Sequence, residues 1–135
     1  MEVNSTLHLV TELNPDALSI AKSLDAARTN GTVHGPLHGI PILIKNNIAI
    51  RDKMGNTAGS YALLGAKVPR DSTMAAKLLK AGAIILGKMK LSQWTNHRSF
   101  NANNGWSAYG GKTEAAHSWP RSIQLVFRQR CIEFT

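Results

Sequence analysis

The sequence has few of the features that define several common protein classes. It contains one cysteine, Cys131, among 135 residues. That scarcity excludes an internal disulfide framework and any metal centre built on several thiolates. No apolar run approaches the roughly 20 residues that a membrane-spanning helix needs. The first residues also lack a basic stretch followed by an apolar one, so no secretory signal is predicted. We therefore expect a soluble, cytoplasmic protein.

Acidic residues are scarce as well. Eight Asp and Glu stand against 16 Lys and Arg, which gives a formal net charge of +8 at pH 7. A basic balance is typical of proteins that bind nucleic acid or anionic surfaces. Here the basic residues are scattered, with no run of five like charges. We interpret the charge as a solvated basic surface and expect no nucleic-acid partner.

Short apolar segments predict the strands. Residues 6–10 alternate in polarity and predict a short strand. Ile40–Ile44 is a continuous apolar run and predicts an interior strand buried on both faces, and residues 83–86 predict another. Residues 91–96 predict a short helical turn.

Capping signals predict two helices between these strands. Asn14 and the proline after it predict the start of a helix over residues 15–29. Residues 71–73 cap a second helix over 72–81, which Gly82 ends. Alternating strands and helices favour an α/β fold with a mainly parallel sheet and flanking helices.

Lys45 is the candidate functional residue. It follows the apolar run directly, and the carboxyl end of a parallel strand is where α/β sheets bind their ligands. A lysine that is desolvated at such a place loses its proton more easily and can act as a base. Its position also fits a strand-end lysine that points into water, and the residues alone leave both interpretations open.

The sequence predicts neither a metal nor a cofactor site. His34 and His38 are four residues apart, but Gly35 and Pro36 lie between them and prevent a helix that carries both on one face. Phosphate-loop and dinucleotide-binding glycine patterns are absent. We interpret Cys131 as a bystander thiol, because no neighbouring residue supplies a base.

Several segments together carry a family resemblance. The segments, in chain order, are Gly35–Asn47, Thr57–Ser60, Pro69–Ser72, Ala81–Lys88, Leu91–Trp94 and Gly105–Gly111. Over residues 6–114 they resemble motifs of the amidase signature family. The similarity is to its fungal and bacterial amidases rather than to the tRNA-dependent amidotransferase subunit.

The resemblance implies hydrolysis of small-molecule amides by a Ser–cis-Ser–Lys triad without a cofactor. Lys45 matches the catalytic lysine of that family, which acts as a general base. It would take a proton from the bridging serine, which relays one from the nucleophilic serine. We therefore expect Lys45 to lie near Ser60 or the loop Gly105–Gly111.

The sequence departs from the family pattern in two ways. The Gly/Ser-rich segment that supplies both serines and the oxyanion hole is expected after Gly111 and does not occur. Ser118 and Ser122 lack flanking glycines, so neither matches a triad serine. Asn46 also stands where the family usually has Asp. We predict that residues 1–114 are the amino-terminal part of an amidase domain and that 115–135 form a divergent tail outside it.

Three functions follow as hypotheses. The first is a truncated amidase that is inactive alone because its serines are missing. The second is a non-catalytic basic binding module. The third is an enzyme that a second chain completes by supplying the serines. The oligomeric state is not predicted.

Overall fold

Helices and strands alternate over the first 89 residues. A computed structural model describes residues 2–97, 101 and 103–114. The described helices are α1 (Glu2–Leu7), α2 (Ala17–Thr29) and α3 (Thr73–Lys80). The described strands are β1 (Val10–Leu13), β2 (Pro41–Lys45), β3 (Ile84–Met89), β4 (Trp106–Ser107) and β5 (Gly111–Lys112). None of the described helices is long and apolar enough to cross a membrane.

The main sheet has three strands in the order β1–β3–β2. β2 is parallel to β3, and the connection between them includes α3, as a parallel crossover requires. β1 is antiparallel to β3. The sheet is therefore mixed over the described residues, and a mainly parallel sheet is not confirmed.

β2 lies at the edge of this sheet, so its predicted interior position is wrong for the described strands. The strand itself is found one residue later than the apolar run Ile40–Ile44. Ile44 is buried, whereas Leu43 on the opposite face keeps 36% of its surface exposed. A continuous apolar run does not distinguish the two positions, because edge strands also carry exposed apolar side chains.

The main apolar cluster lies against β2 and β3. Its buried members are Ile44, Ile50, Met54, Ala75 and Ile85. Ile50 and Met54 come from the segment that follows β2, and Ala75 comes from α3. Each large aliphatic side chain that is fully buried contributes about 1.5–3 kcal/mol to stability. The segment after Lys45 is therefore part of the core.

The start of α2 differs from the prediction that Asn14 caps it. Asp16 occupies the capping position, and its carboxylate forms a 2.7 Å ion pair with Lys53. The Asn14 side chain accepts the N–H of Asp16 at 3.0 Å and donates to the carbonyl of Ile85 at 2.9 Å. Asn14 therefore joins α2 to β3, a long-range contact that a local capping pattern does not reveal.

The helix over residues 72–81 is confirmed as α3. Ser72 caps it, because its hydroxyl oxygen accepts the N–H of Ala75 at 3.3 Å. The helix ends before Gly82, which has a φ of +89°. A Cβ there would lie 2.8 Å from the Cα of His38. Gly82 is thus required both by its backbone conformation and by close packing.

The predicted strand over residues 6–10 is wrong. Leu7 ends α1, and the strand starts only at Val10. The Asn4 side-chain oxygen accepts the N–H groups of Leu9 and Val10 at 2.9 and 2.8 Å. This side chain therefore satisfies the backbone between α1 and β1, a role that alternating polarity cannot show.

The described chain returns to its beginning near residue 114. β4 and β5 form a two-stranded antiparallel sheet. The N–H of Glu114 then donates to the carbonyl of Leu7 at 2.9 Å. The predicted tail, including Ser118, Ser122 and Cys131, lies outside the described residues.

Candidate active site

Lys45 is the last residue of β2 and is half-buried. Its carbonyl accepts the N–H of Ile48 at 2.9 Å, so the chain turns immediately after the strand. The N–H of Asn46 donates to the carbonyl of Met89 at the end of β3. Lys45 therefore lies at the carboxyl ends of two parallel strands, as predicted. Its ammonium makes no hydrogen bond or ion pair with any residue that the structure describes.

Asn46 connects this strand end to the segment that carries Ser60. Its side chain is completely buried. Its Oδ1 accepts the N–H of Thr57 at 3.0 Å, and its backbone carbonyl accepts the N–H of Ala58 at 3.2 Å. Its Nδ2 donates to the Thr11 hydroxyl at 3.3 Å. Asn46 thus fixes residues 57 and 58 beside the end of β2.

A second set of contacts brings the loop Gly105–Gly111 to the same place. The carbonyl of Gly59 accepts the N–H of Tyr109 at 3.0 Å. A Cβ at Gly59 would lie 2.7 Å from the Cβ of Ser107, so only glycine permits this approach. The segment ending in Ser60 and this loop are therefore adjacent. The contacts that join them to β2 are made by Asn46, the neighbour of Lys45.

Strained backbone is concentrated where the segment ending in Ser60 meets residues 94–96. The turn predicted over residues 91–96 is present, but Trp94–Asn96 have φ values of 53°, 57° and 61°. Left-handed conformation costs roughly 1–2 kcal/mol for each residue with a side chain. The N–H of Trp94 donates to the carbonyl of Ala58, which itself has a φ of 48°. Strain of this kind is typical of functional sites, where the surrounding contacts enforce it.

Lys88 is a residue next to the site that the sequence analysis missed. It counts among the scattered basic residues assigned to a solvated surface, but its side chain is completely buried. Its Nζ donates to the carbonyl of Ile48 at 2.6 Å and to Oδ1 of Asn56 at 2.8 Å. Burial lowers the pKa of Lys88 to about 8, and the negative charges of Asp52 and Glu12 partly oppose that shift. Its position within the buried strand β3 was the available signal.

Two further groups near the site have shifted pKa values. Burial raises the pKa of the Asp52 carboxyl, while its hydrogen bond with Met54 and the charge of Lys88 act in the opposite direction. Partial burial lowers the pKa of Lys90. The Lys90 side chain lies along the loop Gly105–Gly111, because a Cβ at Gly110 would meet its Cγ and Cδ at 3.2 Å.

The histidines make packing and loop contacts. The rings of His34 and His38 stack with centroids 5.4 Å apart. Nδ1 of His38 accepts the N–H of His34 at 3.1 Å, and its Nε2 lies 3.0 Å from the carbonyl of Leu24. No group of three or more His, Cys, Asp or Glu that could hold a metal ion occurs among the described residues.

A family model for amidases matches residues 1–114. The chain belongs to the amidase family. The resemblance inferred from the motifs is therefore confirmed, and so is an α/β fold, because the solved structures that match are amidase signature enzymes.

Individual relatives match only part of their own length. A provisionally named amidase of Arthroderma benhamiae is 60% identical over 116 residues, which are 86% of this chain and 20% of that protein. The native peptide amidase of Stenotrophomonas maltophilia is 48% identical with a TM-score of 0.74, covering 79% of this chain and 22% of that one. A glutamyl-tRNA(Gln) amidotransferase component from Salinispora arenicola is 34% identical over 108 residues, 80% of this chain and 20% of that protein. The chain spans about a fifth of the length of these relatives.

Proposed function

We propose that this chain is an amino-terminal part of an amidase domain, with Lys45 as its general base, and that it does not hydrolyse amides alone. The observation that carries the proposal is the position of Lys45 at the carboxyl end of β2. Lys45 lies directly before Asn46, which joins the end of this strand to Thr57 and Ala58 (the Asn46 junction). Membership of the amidase family supports the assignment. The substrate class is a small-molecule amide.

In the reaction that this assignment implies, the neutral amine of Lys45 takes a proton from a bridging serine. That serine takes a proton from the nucleophilic serine, whose oxygen attacks the amide carbonyl. Backbone N–H groups stabilise the resulting oxyanion. The C–N bond breaks as the leaving amine receives a proton, and water then hydrolyses the acyl-enzyme. Lys45 holds and returns the proton throughout.

Three serines near the site form hydrogen bonds with backbone N–H groups. The hydroxyl oxygen of Ser60 accepts the N–H of Ala62 at 3.2 Å. Those of Ser92 and Ser107 accept the N–H groups of Gly105 and Gly110 at 2.8 and 3.1 Å. These contacts give the three serines structural roles and favour a nucleophile from another part of a complete amidase. Without a nucleophile, only general-base assistance to water remains, typically worth about 10²–10⁴-fold.

The direct test is ammonia release from aliphatic and aromatic amides by the purified 135-residue chain. We expect no turnover above the buffer background. Turnover that Lys45→Ala abolishes would show that the chain contains its own nucleophile. Turnover that appears only with a separately supplied amidase remainder would support an enzyme assembled from two chains.

A chimera tests the role of Lys45 itself. Residues 1–114 of this chain are joined to the remainder of the S. maltophilia peptide amidase, which is 48% identical where the two match. We expect amide hydrolysis by the chimera and a loss of roughly 10²–10⁴-fold in kcat on Lys45→Ala. Lys22→Ala on the exposed face of α2 is the matched control and keeps full activity. An active Lys45→Ala chimera would refute the assignment.

A non-catalytic basic binding module is the second candidate. One observation favours it: an open cavity of about 470 Å³ beside α3. Its lining includes Arg70, Lys77 and Lys80 together with Asp71. Binding of a polyanion such as heparin that weakens steeply with salt, and that Lys77→Ala with Lys80→Ala removes, would support this candidate.

A further inference from the structure

The buried ammonium of Lys88 joins the middle of the sheet to the segment after β2. Lys88 pairs in register with Ile44 of β2 on one side and Glu12 of β1 on the other. Its Nζ donates to the carbonyl of Ile48 and to Oδ1 of Asn56, at 2.6 and 2.8 Å. These two acceptors lie near the two ends of one loop, which the single ammonium therefore holds against β3.

Asn56 extends this connection across the loop. Its Nδ2 donates to the carbonyl of Ile50 at 3.1 Å, and its Oδ1 accepts the N–H of Ile50 at 3.2 Å. Oδ1 of Asn56 thus accepts both the Lys88 ammonium and a backbone N–H. Movement of the ammonium would disturb the loop at Ile48, Ile50 and Asn56 together.

Two carboxylates on neighbouring elements act on the same ammonium. Glu12 of β1 accepts the N–H of Gly55 at 2.8 Å, and Asp52 accepts the N–H of Met54 at 2.8 Å. Both charges favour the protonated form of Lys88. The negative charge of Asp71 in turn raises the pKa of Asp52. The second carboxylate oxygen of Asp52 is buried and has no hydrogen-bond partner among the residues that the structure describes. The positive charge of Lys88 therefore interacts favourably with both carboxylates.

The loop held in this way ends at the candidate active site. It begins after Lys45, and Thr57 and Ala58 at its far end bind Asn46. Lys88 and Asn46 thus fix the same loop at successive points. Hydrogen bonds from a charged donor are roughly twice as strong as neutral ones, so the protonated form holds the loop more firmly.

We propose that Lys88 is a positioning residue for this site: its buried ammonium clamps the loop between Lys45 and Ala58 to β3, and loss of its proton loosens the clamp. The inference rests on the proposed function only in taking Lys45 as the catalytic lysine. Lys88 itself is inaccessible to a substrate, because its side chain is completely buried.

Methyl NMR of the full 135-residue chain tests this proposal. Met54 lies in the clamped loop and Ala58 at the Asn46 junction, and both are buried. With methyl-labelled Met and Ala and ¹³Cε-labelled Lys, we expect both methyl signals and the Lys88 ¹³Cε signal to titrate with one shared midpoint near pH 8. The methyl of Met74, which is 52% exposed on α3, is the internal reference and stays constant.

Variants assign the midpoint to Lys88. Lys88→Met keeps an unbranched side chain without the charge and should remove the transition at Met54 and Ala58. Lys22→Met changes an exposed lysine on α2 and should leave it intact. Asn56→Asp places a carboxylate at the 2.8 Å contact and should raise the midpoint by at least about one pH unit.

Several results would overturn the clamp. One is a methyl transition that persists unchanged in Lys88→Met, and another is a Lys88 titration without any change at Met54 and Ala58. If Lys88→Met does not fold, an unshifted midpoint in Asn56→Asp refutes the proposal. Lys45→Ala should leave the methyl midpoint in place. An active Lys45→Ala chimera would therefore refute the proposed function and not the clamp.

Discussion

Asn46 accepts the backbone N–H of Thr57 at 3.0 Å through its side-chain oxygen, across 11 residues of sequence. Its side-chain nitrogen donates to the Thr11 hydroxyl, which in turn donates to the carbonyl of Lys88 at 3.1 Å. An aspartate could accept from Thr57 but could not donate to Thr11. The amide at position 46 is therefore committed to Thr57 and Thr11, and it satisfies both without a buried charge.

Removal of the Asn46 side chain should be costly. Asn46→Ala leaves the buried N–H of Thr57 without a partner, which destabilises a protein by about 1–3 kcal/mol. Asn46→Asp should also lose stability at neutral pH, because its carboxylate still accepts from Thr57 but is completely buried and cannot donate to Thr11. Asn47→Ala is the control, since within the described part of the chain the one hydrogen bond of its side chain is the exposed contact with Thr95. Urea unfolding measures all three, and equal losses at 46 and 47 would contradict the prediction.

Gly87 should resist substitution, because it lies between neighbouring strands. A Cβ at this position would lie 2.5 Å from the carbonyl oxygen of Glu12. We expect Gly87→Ala to cost about 1–3 kcal/mol, as overpacking does, and to lower hydrogen-exchange protection in β1. Gly65→Ala has open space but a φ of +78°. This control should lose stability without lowering protection in β1. Unchanged exchange in Gly87→Ala would contradict the prediction, because it would show that the methyl group fits without separating the strands.

The buried Lys88 should make stability depend on pH on the alkaline side. Burial lowers its folded-state pKa from 10.5 to about 8. Between these values the unfolded chain binds more protons on this residue, so the free energy of unfolding rises with pH. Loss of the buried charge relieves its desolvation, and this effect exceeds the weakening of the hydrogen bonds that hold the loop. Relative to Lys88→Met, the wild-type chain should gain on the order of 3 kcal/mol from pH 8 to pH 10.5. Urea unfolding of both proteins across this range gives the difference, and parallel stability curves would exclude the effect.

Residues 115–135 should contribute little to the stability of the rest. The family match covers residues 1–114, and we propose that the remaining residues lie outside the amidase fold. Their deletion should change the free energy of unfolding by no more than about 0.5 kcal/mol, as for changes away from core features. The measurement is thermal and urea unfolding of the chain with and without these residues. Loss of folding on deletion would show that the tail is part of the core.

Local patterns predicted much of the secondary structure. The serine cap of α3, the glycine after its end and the apolar run of β2 involve residues within a few positions of each other. Lys45 could be singled out because it directly follows that run. The left-handed backbone of Trp94–Asn96 could not be predicted, because contacts with residues far away in the sequence, such as Ala58, hold it.

The errors share a cause. Asparagine is common in caps and loops, yet the side chains of Asn14 and Asn4 form hydrogen bonds with backbone groups of other elements. The acceptors of the Lys88 ammonium lie 40 and 32 residues away. A lysine in an apolar strand has no visible reason to be buried until those acceptors are in place.

By itself, the sequence indicated the family through its motifs. It also determined the order of the elements from α2 to β3 and the position of Lys45 after an apolar strand, because these two depend on short-range spacing. Tertiary structure alone decided the central position of β3, the burial of Lys88 and the junction of Asn46 with Thr57. Each of these depends on which distant backbone groups meet. Buried polar groups must find such partners, and only the folded chain brings them together.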